Sequence, residues 1–246
     1  MRRAFVHTFA TLAVLFAAGV AAAAPTPGQQ TAEMYEGQGK KLGYLLYVPA
    51  GYKDAGDKKW PVIFFLHGSG ERGNGTTELE KNKKHGPPKL VEGLTKDFIV
   101  ISPQCPKDDR WEAKSLKGLL DVVTGKLKNA DTDRIYLTGL SMGGFGSWML
   151  AAEYPEVFAA VVPICGGGNP STAAKLKNLP IWVFHGDKDT AVKIAMSQAM
   201  VDALKAAGAK EVEFTIYPGV GHDSWTQSYA NPKLYEWLLK HTRQKR

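Results

Sequence analysis

The sequence predicts a three-layer α/β domain with a mostly parallel central sheet. Short, continuous apolar segments recur along the chain, and segments with helical spacing of apolar residues alternate with them. Strands that are apolar at almost every position are typical of parallel sheets covered by helices on both faces. With 246 residues, 44% of them hydrophobic, the chain is long enough for one such domain and too apolar for a disordered protein.

The apolar segments are the predicted strands, and most of them stop at glycine or proline, which end regular structure. Segment 60–66, for example, is rich in Ile, Val and Phe and is followed by Gly68 and Gly70. In chain order, strands are predicted over 42–48, 60–66, 98–102, 134–138, 159–164, 181–184 and 212–217.

Four further segments carry apolar residues every three or four positions, the spacing of one helix face. Helices are therefore predicted over 114–127, 141–154, 193–207 and 232–241. The second ends before Pro155, and the third before Gly208, a residue type that often follows a helix. Segment 69–96 has neither pattern. Because long loops in compact domains are usually functional, we expect it to form a rim or flap over the carboxyl edge of the sheet.

The first 24 residues are predicted to be a secretory signal peptide. Arg2 and Arg3 precede an apolar run over 4–20, and the small residues of 21–24 resemble a cleavage site. The run is short for a membrane span, so we expect cleavage and export rather than a stable membrane anchor. Residues 25–246 are then a single domain in the periplasm or the medium.

The remaining composition excludes other classes of protein. Two cysteines are too few for a disulfide framework, and the chain has neither zinc-ligand spacing nor an RNA-binding aromatic pattern. Removing Arg2 and Arg3 lowers the net charge from +7 to +5, which is mildly basic and spread along the chain. We therefore expect no nucleic-acid partner.

The motif that indicates chemistry is Gly-Leu-Ser-Met-Gly at 139–143, which matches G-x-S-x-G between a predicted strand and a predicted helix. On such a turn the hydroxyl of Ser141 is raised above the sheet as a candidate nucleophile. The helix N-terminus places free N–H groups near developing negative charge.

A serine hydroxyl needs a base to remove its proton. His222 is the candidate because it lies in a glycine-rich loop after the last predicted strand, and the chain order Ser…Asp…His is that of known serine hydrolases. The acid that would orient His222 lies in the segment 185–189, where Asp187 and Asp189 are both candidates.

An oxyanion needs preorganised donors, and one is the backbone N–H of Met142, which follows the nucleophile. The second is expected from the loop after 60–66, at Ser69 with Gly70 as the alternative. Trp111 is a candidate for the wall of the substrate pocket, although plain packing explains it equally well. Trp225, three residues after His222, is expected to support that loop by packing.

These residues resemble the α/β-hydrolase superfamily. More narrowly, they resemble the secreted esterases grouped with dienelactone hydrolases, phospholipase/carboxylesterases and feruloyl-type esterases, some called "predicted peptidase". The resemblance runs from Leu45 to Trp225 and is carried by LLYVPAGY (45–52), FFLHGSGERG (64–73), HGPPKL (85–90), FIVISPQCP (98–106), YLTGLSMGGFGSW (136–148), YPEVFAAVVPICGG (154–167), HGDKD (185–189) and GHDSW (221–225).

The resemblance implies a triad of Ser141, Asp189 and His222, with Ser69 and Met142 at the oxyanion hole and with neither a metal nor an organic cofactor. Dienelactone hydrolases proper use a cysteine nucleophile, whereas this chain carries serine, which points to ordinary ester hydrolysis. The predicted function is an exported carboxylesterase for short-chain or aromatic acyl esters, either small molecules or linked to polysaccharide. A serine peptidase and a catalytically silent polysaccharide-binding protein are the alternatives.

The implied fold also bears on the two cysteines. It separates the strands that precede Cys105 and Cys165 by three strand spacings, roughly 14 Å. A disulfide needs Cα atoms within about 7 Å, so we expect unpaired thiols.

Overall fold

The computed structural model describes residues 25–54 and 56–243, so the predicted signal peptide lies outside the described residues. An eight-stranded sheet, ordered β1-β2-β4-β3-β5-β6-β7-β8, forms its centre. The strands are β1 (Gln30–Gly37), β2 (Lys40–Tyr47), β3 (Trp60–Leu66), β4 (Ile99–Pro103), β5 (Ala130–Leu140), β6 (Ala160–Ile164), β7 (Ile181–Gly186) and β8 (Val212–Tyr217). Strand β2 is antiparallel to β1 and β4, and the other neighbouring pairs are parallel, which confirms the mostly parallel sheet.

Helices cover both faces of this sheet. They are α1 (Ala113–Lys126), α2 (Met142–Glu153), α3 (Ala173–Leu176), α4 (Ala195–Ala206), α5 (Ser224–Ala230) and α6 (Pro232–Leu239). One hydrophobic cluster joins one sheet face to buried residues of α1 to α4, and a second joins the opposite face to α5 and α6. The three-layer α/β architecture is therefore confirmed.

Apolar patterning missed strand β1 and the short helices α3 and α5. Along most of β1, exposed positions alternate with half-buried or buried ones, and as an edge strand β1 pairs with β2 alone. The turn between them places Gln38 at φ 54° and Gly39 at φ 74°. Two consecutive positive φ values are typical of a tight turn whose twist matches a hairpin.

Segment 69–96 packs at the carboxyl end of β4, as expected for a rim, and contains three short 3₁₀ helices. The Asn82 side chain donates to the carbonyls of Ser102 and Pro103 at the end of β4 (2.9 and 3.1 Å). The Gln104 amide donates to the carbonyls of Glu71 and Glu78 (3.1 and 2.7 Å). Buried side-chain amides thus replace the hydrogen bonds of regular structure in this segment.

Both cysteines are free and buried, as expected from their separation across the sheet. Cys105 follows β4 and Cys165 follows β6, with β3 and β5 between those strands. Among the described residues, none of the helices has the length and apolar character that crossing a membrane requires.

Candidate active site

Ser141 occupies a strained turn between β5 and α2. Its φ is +51° and its ψ is −117°, a conformation that costs a non-glycine residue about 1–3 kcal/mol. The turn also needs glycine at position 143, because a Cβ there would lie 1.9 Å from the carbonyl oxygen of Leu66. The start of α2 therefore packs directly against the end of β3. Close packing thus explains the glycine of the motif, in addition to the chemistry that explains its serine.

His222 lies between Ser141 and Asp189. Its Nε2 is 2.9 Å from the Oγ of Ser141, and its Nδ1 is 2.7 Å from the Oδ2 of Asp189. An ionised carboxylate only accepts hydrogen bonds, so Nδ1 carries the hydrogen and Nε2 is free to accept the serine proton. The three residues implied by the family resemblance are thus joined in one hydrogen-bonded relay.

Asp189 is buried, and both of its oxygens have donors. Its Oδ1 accepts the backbone amides of Ala191 and Val192, each at 2.9 Å. Burial alone raises the pKa of the Asp189 carboxyl, but hydrogen bonds from His222 and these amides outweigh it, so the net pKa lies below its ordinary value. The carboxylate therefore stays ionised. It needs this charge to accept the imidazole N–H and hold the ring in place.

The alternative acid, Asp187, has a different position. Its Oδ1 accepts the backbone amide of Gly219 at 2.7 Å, in the loop that precedes His222. A Cβ on Gly186 would lie 2.3 Å from the carbonyl oxygen of Val220, so the same loop packs tightly on the end of β7. Asp187 thus fixes the loop that precedes His222, whereas Asp189 is hydrogen-bonded to the imidazole of His222.

Trp225, on α5, packs against the imidazole of His222. The two rings stand nearly perpendicular with centroids 5.3 Å apart, and the ring centroid of His85 lies 5.5 Å from that of the indole. This contact agrees with the supporting role predicted for Trp225.

Each of the two expected oxyanion residues begins a helical segment. Ser69 opens a 3₁₀ helix after β3, Met142 opens α2, and both line the same cavity as Ser141. The backbone N–H of Ser69 makes no hydrogen bond within the described ranges, and neither does that of Met142. Both amides are therefore available to a ligand.

The buried side chain of His67 joins the loop that contains Ser69 to the segment after β4. Its Nδ1–H donates to the carbonyl of Gly68 at 2.6 Å, and its Nε2 accepts the amide of Cys105 at 2.9 Å. Burial lowers the pKa of His67 to about 4, so the ring is neutral at pH 7. Trp111 donates from its indole N–H to the carbonyl of His67 at 3.2 Å. The predicted pocket residue Trp111 therefore also fixes the loop that leads from His67 to Ser69, one of the two predicted oxyanion residues.

A cavity of about 640 Å³ opens beside the Ser141 hydroxyl. Trp111, only 8% exposed, forms part of its wall, so its packing and its pocket position are compatible. Side chains that sequence reasoning did not single out complete the lining, among them Arg72, Arg110, Phe145, Met149, Asn169 and Thr172. Phe145 lies one helical turn after Ser141, a spacing that could have indicated it. Met149 lies one turn further along the same helix, whereas Arg72, Arg110 and Asn169 come from loops, for which no periodic signal exists.

Cys165, Asp189 and His222 offer one sulfur, one oxygen and one nitrogen within 4.8 Å of one another, a donor set that a metal ion could use. The carboxylate and both imidazole nitrogens are already engaged in hydrogen bonds. Burial raises the pKa of the Cys165 thiol to about 12, so the thiolate that metals prefer is disfavoured. The arrangement suits proton transfer better than ligation.

Comparison with known proteins agrees with this geometry. The model of the Dienelactone hydrolase family matches residues 107–233, a span that includes Ser141, Asp189 and His222. The chain belongs to the dienelactone hydrolase family. A putative carboxymethylenebutenolidase from Methylorubrum extorquens is 34% identical over 108 residues, which cover 40% of this chain and 36% of that protein.

Two further relatives are longer proteins. An endo-1,4-beta-xylanase/feruloyl esterase from Xylanibacter ruminicola is 27% identical over 230 residues, covering 86% of this chain and 31% of that protein. A thermostable esterase of known structure superposes with a TM-score of 0.76 at 35% identity, covering 87% of this chain and 63% of that one. A ferulic acid esterase, with a TM-score of 0.66 and 19% identity, shares the fold. This family member thus spans about a third of the length of these curated relatives.

The buried, neutral His67 predicts a pH-dependent stability. Because its pKa is lowered in the folded state, the unfolded chain binds the proton more tightly, and stability falls as pH decreases from about 6.5 towards 4. Between pH 7 and pH 4.5 this residue should remove about 2–3 kcal/mol from the free energy of unfolding. Urea unfolding of wild type and His67→Asn at both pH values measures it. The variant should be less stable at pH 7 but lose less stability on acidification; equal losses would contradict the assignment.

Proposed function

We propose that this protein is a serine ester hydrolase that works through an acyl-enzyme. The observation that carries the proposal is the continuous hydrogen-bond relay from Asp189 through His222 to Ser141, beside a cavity large enough for an acyl group. The esterase names of several relatives support the same reaction class.

In the proposed mechanism the Oγ of Ser141 attacks the ester carbonyl carbon while its proton passes to Nε2 of His222. The backbone N–H groups of Ser69 and Met142 stabilise the negative charge on the carbonyl oxygen. The carbon–oxygen bond to the alcohol breaks, and His222 returns the proton to the departing oxygen. Water then attacks the acyl-enzyme with its proton again taken by His222, and the acid leaves as Oγ is reprotonated.

The cavity favours short-chain or aromatic acyl groups. Its wall includes the aromatic residues Trp111 and Phe145 and the flexible apolar side chain of Met149, which suit an apolar acyl group. The guanidinium of Arg72 lies at the same site, with its Nη2 3.0 Å from the sulfur of Met142. A feruloyl ester carries an aromatic ring and polar substituents, so we include it in the substrate class.

We further propose that the chain is exported, on the strength of the charged, apolar and small-residue pattern over 1–24. Mass spectrometry of the protein recovered from the periplasm or medium of an expressing bacterium tests this. The mature chain should begin near Pro25; a chain that retains residues 1–24 would contradict it.

Replacing the nucleophile tests the proposed reaction. Ser141→Ala should lower kcat on p-nitrophenyl acetate by about 10⁴–10⁶-fold, because no other group replaces the hydroxyl. Ser147→Ala is the matched control, since Ser147 lies on the same helix and donates to the carbonyl of Gly143 inside the core. Its turnover should stay close to that of wild type. Near wild-type turnover in Ser141→Ala would refute the proposal.

Trimming the cavity wall tests the substrate class. Phe145→Ala should raise kcat/KM for p-nitrophenyl octanoate relative to the acetate by about tenfold, because one pocket contact changes discrimination by about 1–3 kcal/mol. Rates on an acetate-to-octanoate series and on methyl ferulate measure it. Val122→Ala, an exposed change on α1, is the control. If both variants keep the wild-type ratio, the cavity is not the acyl site.

A further inference from the structure

A second histidine contacts the triad acid. His185, near the end of β7, is fully buried and is absent from the lining of the catalytic cavity. Its Nε2 lies 3.1 Å from the Oδ2 of Asp189, the same oxygen that accepts the Nδ1–H of His222.

The direction of this hydrogen bond follows from the partners. Nε2 of His185 also lies 2.9 Å from the carbonyl oxygen of Val192. A carbonyl oxygen and an ionised carboxylate both accept only, so Nε2 must carry a hydrogen and donate. His185 therefore donates through Nε2, whose hydrogen is shared between the carbonyl oxygen of Val192 and the Oδ2 of Asp189.

The other ring nitrogen explains how His185 is held. Its Nδ1 is 2.8 Å from the Oγ of Ser197 on α4, and that hydroxyl is 2.8 Å from the carbonyl oxygen of Gly166. Ser197 has one hydrogen, which goes either to Nδ1 of a neutral ring or to Gly166 when the ring is protonated. Both states keep a hydrogen on Nε2, which faces the carbonyl oxygen of Val192 and the Oδ2 of Asp189, and both tie β7 to α4 through Ser197.

We propose that His185 is a positioning residue that fixes the carboxylate of Asp189 for the imidazole of His222; this inference rests on the proposed function. With His185, the carboxylate has four donors: two amides on Oδ1 and two imidazoles on Oδ2. Rotation of the carboxylate would break several hydrogen bonds at once. The relay to Ser141 thus keeps its geometry throughout the reaction.

The second donor also sets the strength of the bond to His222. Oδ2 accepts hydrogen bonds from two imidazoles. It therefore stabilises a protonated His222 less than it would if His222 were its sole donor. Among the described residues, the Cys165 thiol lies within 4.8 Å of both the carboxylate and the His222 imidazole, and it stays uncharged because burial raises its pKa to about 12. The carboxyl of Asp223, the residue after His222, is exposed and accepts hydrogen bonds from Thr226. When kcat/KM is plotted against pH, its acidic limb is the range in which activity falls as pH decreases. Removing the His185 donor should therefore move this limb to higher pH.

A double-mutant cycle tests the proposal on p-nitrophenyl acetate. His185→Leu should lower kcat by about tenfold or more with KM within about twofold, and should move the acidic limb upward. In the Asp189→Asn variant, adding His185→Leu should lower kcat little further, because His185 acts on the reaction through the Asp189 carboxylate. His185→Gln, whose amide can still donate, should recover much of the rate. The proposal would be overturned if His185→Leu and Asp189→Asn lowered kcat by factors that simply multiply in the double mutant. It would also be overturned if the acidic limb of the kcat/KM–pH profile of His185→Leu did not move.

Two controls keep the result decisive. Ser197→Ala leaves the Nε2 donor in place, so its acidic limb should match wild type; a shift as large as that of His185→Leu would also overturn the proposal. If His185→Leu does not fold, as judged by circular dichroism, the rates and pH profiles of His185→Gln and Ser197→Ala decide between the outcomes. Activity that does not depend on Ser141 would reject the proposed function itself. Activity that depends on Ser141 but is unchanged by substitution of His185 would reject only this inference.

Discussion

The contact between the start of α2 and the end of β3 is the constraint on which the site depends. Position 143 has no room for a Cβ beside the Leu66 carbonyl, and Ser141 adopts a positive φ to turn the chain there. The backbone amide of Ser141 donates to the carbonyl of Ile164 at 3.0 Å, which fixes the turn against β6 as well. The surrounding sheet maintains a strained conformation that an isolated turn would not keep.

The strand order then brings the other groups to the same edge. Strand β3 leads into Ser69, β5 into Ser141, and β7 into Asp189, while the loop after β8 carries His222. Because parallel strands end at one edge, these four positions meet although they span most of the chain. Two buried histidines lie at this edge: His67 is hydrogen-bonded to Gly68 and Cys105, and His185 contacts Asp189, which we propose it positions.

Sequence alone predicted the parts whose chemistry or periodicity is local. Ser141 and His222 followed from a motif and from chain order, and β3 and β8 from continuous apolar or β-branched residues. The choice of Asp189 over Asp187 came from family resemblance, because two acids in one turn look alike until their donors are known. Donor contacts across the fold, such as Ser197 to His185, leave no periodic trace in a sequence. The half-exposed edge strand β1 lacked an apolar pattern because only one of its edges is paired and much of its surface meets solvent.

The central claim is that Ser141 is the group that becomes acylated. An aryl organophosphate, which transfers its phosphoryl group to an activated serine, tests this through mass spectrometry of the intact protein and its proteolytic peptides. We expect one adduct per chain, on the peptide containing Ser141, forming in step with loss of esterase activity. An adduct on a different residue, or full activity after complete modification of Ser141, would contradict it.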